Sequence, residues 1–229
     1  MQVTHSVSQE TGIIQKRIGT LIIAVGIGLF IYSIVSALIL YPGYTRLGEG
    51  YWDTVDRTGI FLAYLWALSF PIATILFMAG LLLRANVKTV RIITFIVSCF
   101  FALFVIINIQ SSVSSPIFGI GGILIELIFI LTIWNWGKER ATLERNLKNI
   151  VDLRMVGYMF FALSAWFMCG LGATIAFATN PNTVQLFANS PETQANAVSI
   201  LYKIITCLVL GWFFIFLSQW KSARLTKEQ

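Results

Sequence analysis

The sequence has little charge and few residues that bind metals. Only 11% of its 229 residues are charged, and its one histidine, His5, lies close to the N-terminus. A histidine-ligated haem or a zinc site built from cysteine and histidine is therefore not expected. The three cysteines, Cys99, Cys169 and Cys207, are far apart and form no Cys-x-x-Cys motif. We expect them to act as small apolar residues in helix packing.

The short motifs that identify common enzyme sites are also missing. The sequence contains no Walker A motif, no His-Glu-x-x-His and no Gly-x-Ser-x-Gly. No predicted membrane span contains two carboxylates, so a carboxylate-bridged metal site is not expected. We predict that the chain is not an enzyme and holds no cofactor. A flat apolar ligand such as a quinone or carotenoid remains an alternative, because such ligands leave no spacing motif.

Apolar residues, in contrast, are abundant. The chain is 57% hydrophobic, with a mean hydropathy of +0.81. Apolar runs of about 20 residues are long enough to cross ~30 Å of hydrocarbon as a helix. The sequence has six such runs: Ile18–Tyr41, Gly59–Leu83, Val90–Ile109, Phe118–Trp136, Met155–Ala178 and Val198–Trp220. We predict an all-α integral membrane bundle of six transmembrane helices in one domain (16–221), between a flexible N-terminal tail (1–15) and a C-terminal tail (222–229).

The basic residues between the spans fall mainly on one side of the membrane. Of the 16 lysines and arginines, all but Arg46, Arg57 and Lys203 lie on the side of the two termini. The positive-inside rule therefore predicts that both termini are cytoplasmic. These basic residues should attract anionic lipid headgroups, and their scatter over short segments argues against nucleic-acid binding. We expect a multi-pass protein of the bacterial plasma (inner) membrane.

One short cytoplasmic helix is predicted between the fourth and fifth spans, over Lys138–Arg154. Apolar residues recur there at helical spacing and share one face: Leu143, Leu147, Ile150 and Val151. This pattern is typical of an amphipathic helix lying on the inner membrane surface. A helix that binds a partner is the alternative.

Glu126 is the first candidate for a functional residue because it lies inside the fourth predicted span. A carboxylate in that position is costly unless it is paired, hydrated or protonated. Lys203 lies at a similar predicted depth in the sixth span, and we predict that the two side chains form an ion pair. In the alternative, Lys203 extends to the outer headgroups and Glu126 bonds to serine or asparagine side chains.

Three further residues belong to the candidate site. Asn108 and Gln110 begin an uncharged polar segment after the third span, which predicts an outer turn. A partly re-entrant loop is the alternative, since such a loop is tolerated beside protein or water. Pro71 lies near the middle of the second span and is predicted to kink that helix.

Two functions are consistent with these features. The first is an accessory, assembly or scaffold subunit of a membrane complex, with other membrane subunits or copies of itself as partners. The alternative is a small-solute or proton channel or transporter that uses Glu126 and Lys203, with Asn108 and Gln110 in its lining. One acid and one base in six spans would serve few solutes, so the first hypothesis is preferred.

Overall fold

The computed structural model describes residues 2–46, 69–114, 116–143, 145–179 and 191–227, with side chains for 13–39, 69–106, 108–109, 119–143, 147–172 and 198–223. These residues form six α-helices and no strand. The helices are α1 (Gln2–Arg46), α2 (Phe70–Leu83), α3 (Val87–Ser114), α4 (Pro116–Thr142), α5 (Arg145–Thr179) and α6 (Pro191–Lys227). The prediction of an all-α fold is confirmed for the described part of the chain.

Five stretches of these helices are long and apolar enough to cross a membrane: Ile13–Ile39, Val87–Ile106, Gly119–Thr142, Leu147–Gly172 and Val198–Ala223. They correspond to the first, third, fourth, fifth and sixth predicted spans. The second predicted span is represented by the shorter apolar helix α2, and its residues 59–68 lie outside the described residues. The chain is therefore a multi-pass membrane protein. The cytoplasmic location of its termini stays a prediction.

Large apolar side chains cover the outer surfaces of the long helices. Ile39, Phe95 and Tyr202 are all more exposed than buried. Water would make this exposure unfavourable, whereas lipid hydrocarbon solvates such side chains. The exposed surfaces are therefore those expected of helices that face lipid.

The helices form two compact units, residues 1–90 and 91–229. In the first unit α1 packs against α2. A Cβ added to Gly80 would lie 2.7 Å from the carbonyl oxygen of Gly19, and one added to Gly19 would lie 2.9 Å from that of Gly80. Because no real Cβ fits at these distances, the two glycines allow the helix backbones to approach closely. Gln15 Nε2 adds a hydrogen bond of 3.3 Å to the carbonyl oxygen of Leu83.

A Schellman turn ends α2. The backbone N–H of Ala85 donates to Leu82 O and that of Asn86 donates to Leu81 O, both at 2.9 Å. This turn places Ala85 at φ 61°, a left-handed conformation that favours glycine. Asn86 Oδ1 then accepts the backbone N–H of Thr89 at 3.4 Å and its hydroxyl at 2.9 Å, which caps the start of α3.

In the second unit α5 packs against both α4 and α6. Phe160 of α5 and Phe214 of α6 stack with their ring centroids 5.9 Å apart, and both rings are buried. A Cβ on Gly157 would lie 3.0 Å from the carbonyl oxygen of Gly211. Small residues therefore bring α5 and α6 together, and the aromatic stack fills the space beside their contact.

The polar segment between the fourth and fifth predicted spans does not form a separate helix. The structure continues α4 to Thr142 and begins α5 at Arg145. The amphipathic surface helix predicted over Lys138–Arg154 is therefore not confirmed. Two apolar residues of that segment, Val151 and Leu153, are instead buried in α5, because they belong to a long helix that packs against its neighbours.

Helices also extend into segments that the sequence predicts as a turn and tails. The structure continues α3 to Ser114 and begins α4 at Pro116, so residues 108–114 are helical. Most of the two predicted tails are helical too, because α1 begins at Gln2 and α6 ends at Lys227. A continued helix keeps its backbone polar groups bonded within the segment, which favours helix near a membrane.

Candidate functional site

Glu126 lies in α4 and is fully buried, with 0% of its surface exposed. Asn108 of α3 donates a hydrogen bond from Nδ2 to Glu126 Oε1 at 2.7 Å. This bond is partly buried, since Asn108 is half-buried, and it joins the two helices directly. Of the arrangements open from the sequence, the structure shows the one in which an amide side chain bonds to Glu126.

The surroundings of this bond are tightly packed. A Cβ added to Gly122 would lie 2.9 Å from Asn108 Nδ2, so the glycine leaves room for the amide beside Glu126. Phe101 of α3 and Phe129 of α4 stack with a centroid distance of 4.4 Å, and both are buried. This aromatic stack is a second contact between α3 and α4 beside the hydrogen bond.

The second carboxyl oxygen of Glu126 is in a different situation. Oε2 is buried and has no hydrogen-bond partner among the described residues. Leaving a buried acceptor unsatisfied costs about 1–3 kcal/mol. This atom is the one feature of the site that favours proton or solute handling over a purely structural role.

The predicted ion pair between Glu126 and Lys203 is not confirmed. The ammonium of Lys203, in α6, lies 5.9 Å from the ring centroid of Phe167 in α5. This distance is typical of a cation–π contact. The other predicted lining residue, Gln110, lies in α3 but outside the side chains that the structure describes.

The kink predicted at Pro71 is not tested, because residues 59–68 of the second predicted span lie outside the described residues. Pro71 lies in the first turn of α2, directly after Phe70, where the helix begins. Ser69 O accepts the N–H of Ala73 at 2.9 Å, which closes this first turn. First-turn N–H groups have no partner within a helix, so a proline there removes no hydrogen bond. In the described residues, Pro71 therefore lies at a helix start.

A second buried carboxylate, Asp152 of α5, was not identified as a candidate from the sequence. Its Oδ1 accepts hydrogen bonds from Trp136 Nε1 at 2.8 Å and from Arg140 Nε at 2.9 Å. Both donors lie in α4, so this cluster connects α4 to α5. Asp152 Oδ2 has no hydrogen-bond partner within the described part of the chain. The spacing of Trp136 and Arg140, one helical turn apart, was the available signal that they share a face.

A further ion pair joins the same two helices, between Glu139 of α4 and Arg154 of α5. Beside it lies a cavity of about 390 Å³. Its apolar lining consists of Trp136, Val151 and Met155, all of which are buried. Its polar lining consists of Thr132, Asn135, Glu139, Arg154 and Tyr158. The cavity therefore has an apolar floor and a polar, charged rim.

Two serine hydroxyls connect α5 to α6. Ser164 Oγ donates to the carbonyl oxygen of Ile204 at 3.4 Å, and Ser218 Oγ donates to that of Ile150 at 3.2 Å. Such contacts are frequent between membrane helices, where small polar side chains bond across the interface. Polar contacts therefore link all the helices that pack together in this unit.

The described residues contain no group of three or more histidine, cysteine, aspartate or glutamate side chains placed to hold a metal ion. No family model, curated protein or solved structure matches this chain.

Proposed function

We propose that the chain is an accessory, assembly or scaffold subunit of a membrane complex, which acts through its partners and not by catalysis. The observation that most supports this is the bonding of the two carboxylates that are buried among the described residues. Glu126 bonds to α3 and Asp152 bonds to α4, so each acid joins its own helix to a neighbour. Side chains that hold helices together stabilise a fixed surface, which a subunit or scaffold requires.

The magnitudes are consistent with this role. A side-chain hydrogen bond between membrane helices contributes about 0.6 kcal/mol on average and up to about 1.7 kcal/mol. Such bonds connect α3 to α4, α4 to α5 and α5 to α6. Together with the aromatic stacks, they are enough to favour one helix arrangement over others. The proposed partners are other membrane subunits or further copies of this chain, in a bacterial inner membrane with both termini cytoplasmic.

The test is purification of the full chain from its native membrane in mild detergent, with mass spectrometry on the purified peak. We expect one or more other membrane subunits in stoichiometric amount. A photoreactive amino acid at the exposed positions Leu21, Phe95 or Tyr202 should crosslink to the partner from at least one of them. The same residue at the buried positions Met78 or Phe160 is the matched control and should give no crosslink to another chain. A homogeneous peak of this chain as a monomer, with no bound protein, would contradict the proposal.

Proton or small-solute passage is the second candidate, and Glu126 Oε2 is the observation that favours it. A buried carboxyl oxygen with a vacant acceptor position is suited to receiving a proton or a polar solute. The path would include Asn108, Gln110 and Lys203. The test is to measure flux in proteoliposomes of the purified chain. If protons or solutes pass through this site, Glu126→Gln should lower the flux. Glu139→Gln in the same helix is the matched control, since it makes the same chemical change outside the path. Equal flux for both variants and the unaltered chain would rule this candidate out.

A further inference from the structure

The cavity between α4 and α5 is separate from the Glu126 site and has the composition of a small-ligand site. Its volume of about 390 Å³ lies within the range of roughly 300–1,000 Å³ that is common for such sites. Trp136 is one of the three buried residues of its floor, and the bond from Trp136 Nε1 to Asp152 holds this ring in place. The floor is therefore formed before any ligand arrives, which lowers the entropic cost of binding.

The rim carries one charge of each sign. Arg154 and Glu139 line the cavity and contact each other, with side chains that are 38% and 45% exposed. An ion pair at that exposure is worth at most about 1 kcal/mol, so separating the two side chains costs little. A ligand that carries an anionic and a cationic group a few bonds apart could replace the pair, because each side chain would exchange its present partner for a charge-assisted hydrogen bond to the ligand.

The position of the cavity along the helices indicates an amphiphilic ligand. Glu139 lies close to the end of the apolar stretch Gly119–Thr142, which is the level of lipid headgroups. Tryptophan is enriched at this level in membrane proteins, in agreement with Trp136. Thr132 and the exposed Tyr158 extend the cavity towards the apolar part of the span. A headgroup between the charges would therefore have its acyl chains directed along the lipid-facing surface.

We propose that this cavity binds the headgroup of a zwitterionic phospholipid with a primary ammonium, namely a phosphatidylethanolamine. Arg154 binds the phosphate and Glu139 binds the ammonium. A phosphatidylglycerol headgroup offers no cation to Glu139 and is repelled by it. A phosphatidylcholine headgroup carries a cation without N–H groups, so it donates no hydrogen bond to the carboxylate. This specificity is independent of the proposed subunit function.

The experiment is native mass spectrometry of the delipidated full chain, titrated separately with dioleoyl phosphatidylethanolamine, phosphatidylcholine and phosphatidylglycerol. We expect the first lipid to bind with an affinity roughly tenfold higher than the other two, as one lost charge-assisted hydrogen bond implies. Arg154→Gln should remove most of this advantage. Glu139→Gln should shift the preference towards phosphatidylglycerol, because the repulsion of the anion is gone. Lys138→Gln is the matched control. It removes a charge next to Glu139 in sequence that does not line the cavity, so it should leave the preference unchanged.

Two further measurements test whether the cavity is the binding site and whether the ligand is a lipid. Asn135→Trp keeps both charges and fills the cavity, so it should lower phosphatidylethanolamine binding if the cavity is the site. Soluble phosphoethanolamine and inorganic phosphate distinguish a lipid from a free solute, and both should bind far more weakly than the lipid. Equal binding of the three lipids, an unchanged preference in Arg154→Gln, or binding of phosphoethanolamine as tight as that of the lipid would overturn the proposal. Retention of the melting temperature shows that each variant is folded.

Discussion

Replacing Arg140 with glutamine should destabilise the second unit more than replacing Trp136 with phenylalanine. Both residues donate to the same oxygen of Asp152, but only Arg140 neutralises its charge. The side chains of Arg140 and Asp152 are 15% and 4% exposed, so the variant leaves a carboxylate that is almost fully buried. Breaking a buried ion pair from one side costs about 3–5 kcal/mol. Since water still reaches part of Arg140, we expect the lower end of that range, about 3 kcal/mol.

The Trp136→Phe variant keeps the apolar packing and the ion pair and loses one hydrogen bond to a charged group, which predicts a loss of about 1.5 kcal/mol. Removing both charges together, as Arg140→Met with Asp152→Leu, leaves no unpaired charge but leaves Trp136 Nε1 without its acceptor. The double variant should therefore lose about 1.5 kcal/mol, as Trp136→Phe does, and should be more stable than Arg140→Gln. Unfolding in mixed detergent micelles, followed by circular dichroism, measures all four proteins. Lys138→Gln, on the exposed side of the same turn, is the control. It removes only an exposed cation–π contact with Trp134, at 5.3 Å from the ring centroid, and should change stability by less than about 1 kcal/mol. A double variant as unstable as Arg140→Gln would refute this reasoning.

Three other changes test the packing of the helices by the same unfolding assay. Ala85→Gly should stabilise the chain by about 0.5–1 kcal/mol, because it relieves the left-handed backbone at the end of α2, and no gain would contradict the Schellman turn. Gly80→Ala should destabilise by about 1–3 kcal/mol through the clash with α1, whereas Gly28→Ala, which has open space around it, should be nearly neutral. Phe160→Ala should cost about 3–5 kcal/mol because it leaves a cavity beside Phe214, and a cost below 1 kcal/mol would show that the stack is not part of the packed core.

The membrane spans are predictable from the sequence because hydrophobicity, which places a helix in lipid, is summed over every residue of a segment. Five apolar runs predicted from hydropathy correspond to apolar helices of spanning length. Their ends are less predictable, because a helix continues wherever its backbone can stay bonded. Polar segments such as 108–114 and 138–142 are therefore helical and extend the helices, although the sequence predicts that the spans end before them. Pro71 shows the same limit, since the sequence alone does not reveal that a helix starts at Phe70.

The candidate site was predictable in part. An acid within an apolar run marks Glu126 from the sequence alone, because its burial is costly. Its partner is not predictable in this way, because hydropathy does not give the rotation of each helix about its axis. Asn108 and Lys203 both lie at suitable depths, and only the packing of α3 on α4 at Gly122 brings the amide within 2.7 Å of Glu126. Asp152 was not predicted because it lies in a polar segment of the sequence, where a carboxylate is expected to be exposed to water.

The use of buried acids to join helices is tested most directly by the thermodynamic coupling between Asn108 and Glu126. Asn108→Leu, Glu126→Met and the double variant form a cycle in which the two bonded atoms are removed singly and together. If the bond joins α3 to α4, each single variant leaves one buried polar group without its partner. The double variant should then be more stable than the sum of the single changes predicts, by about 0.5–2 kcal/mol. Strictly additive changes would show that Asn108 does not support Glu126 and would contradict the structural role from which the proposed function is inferred.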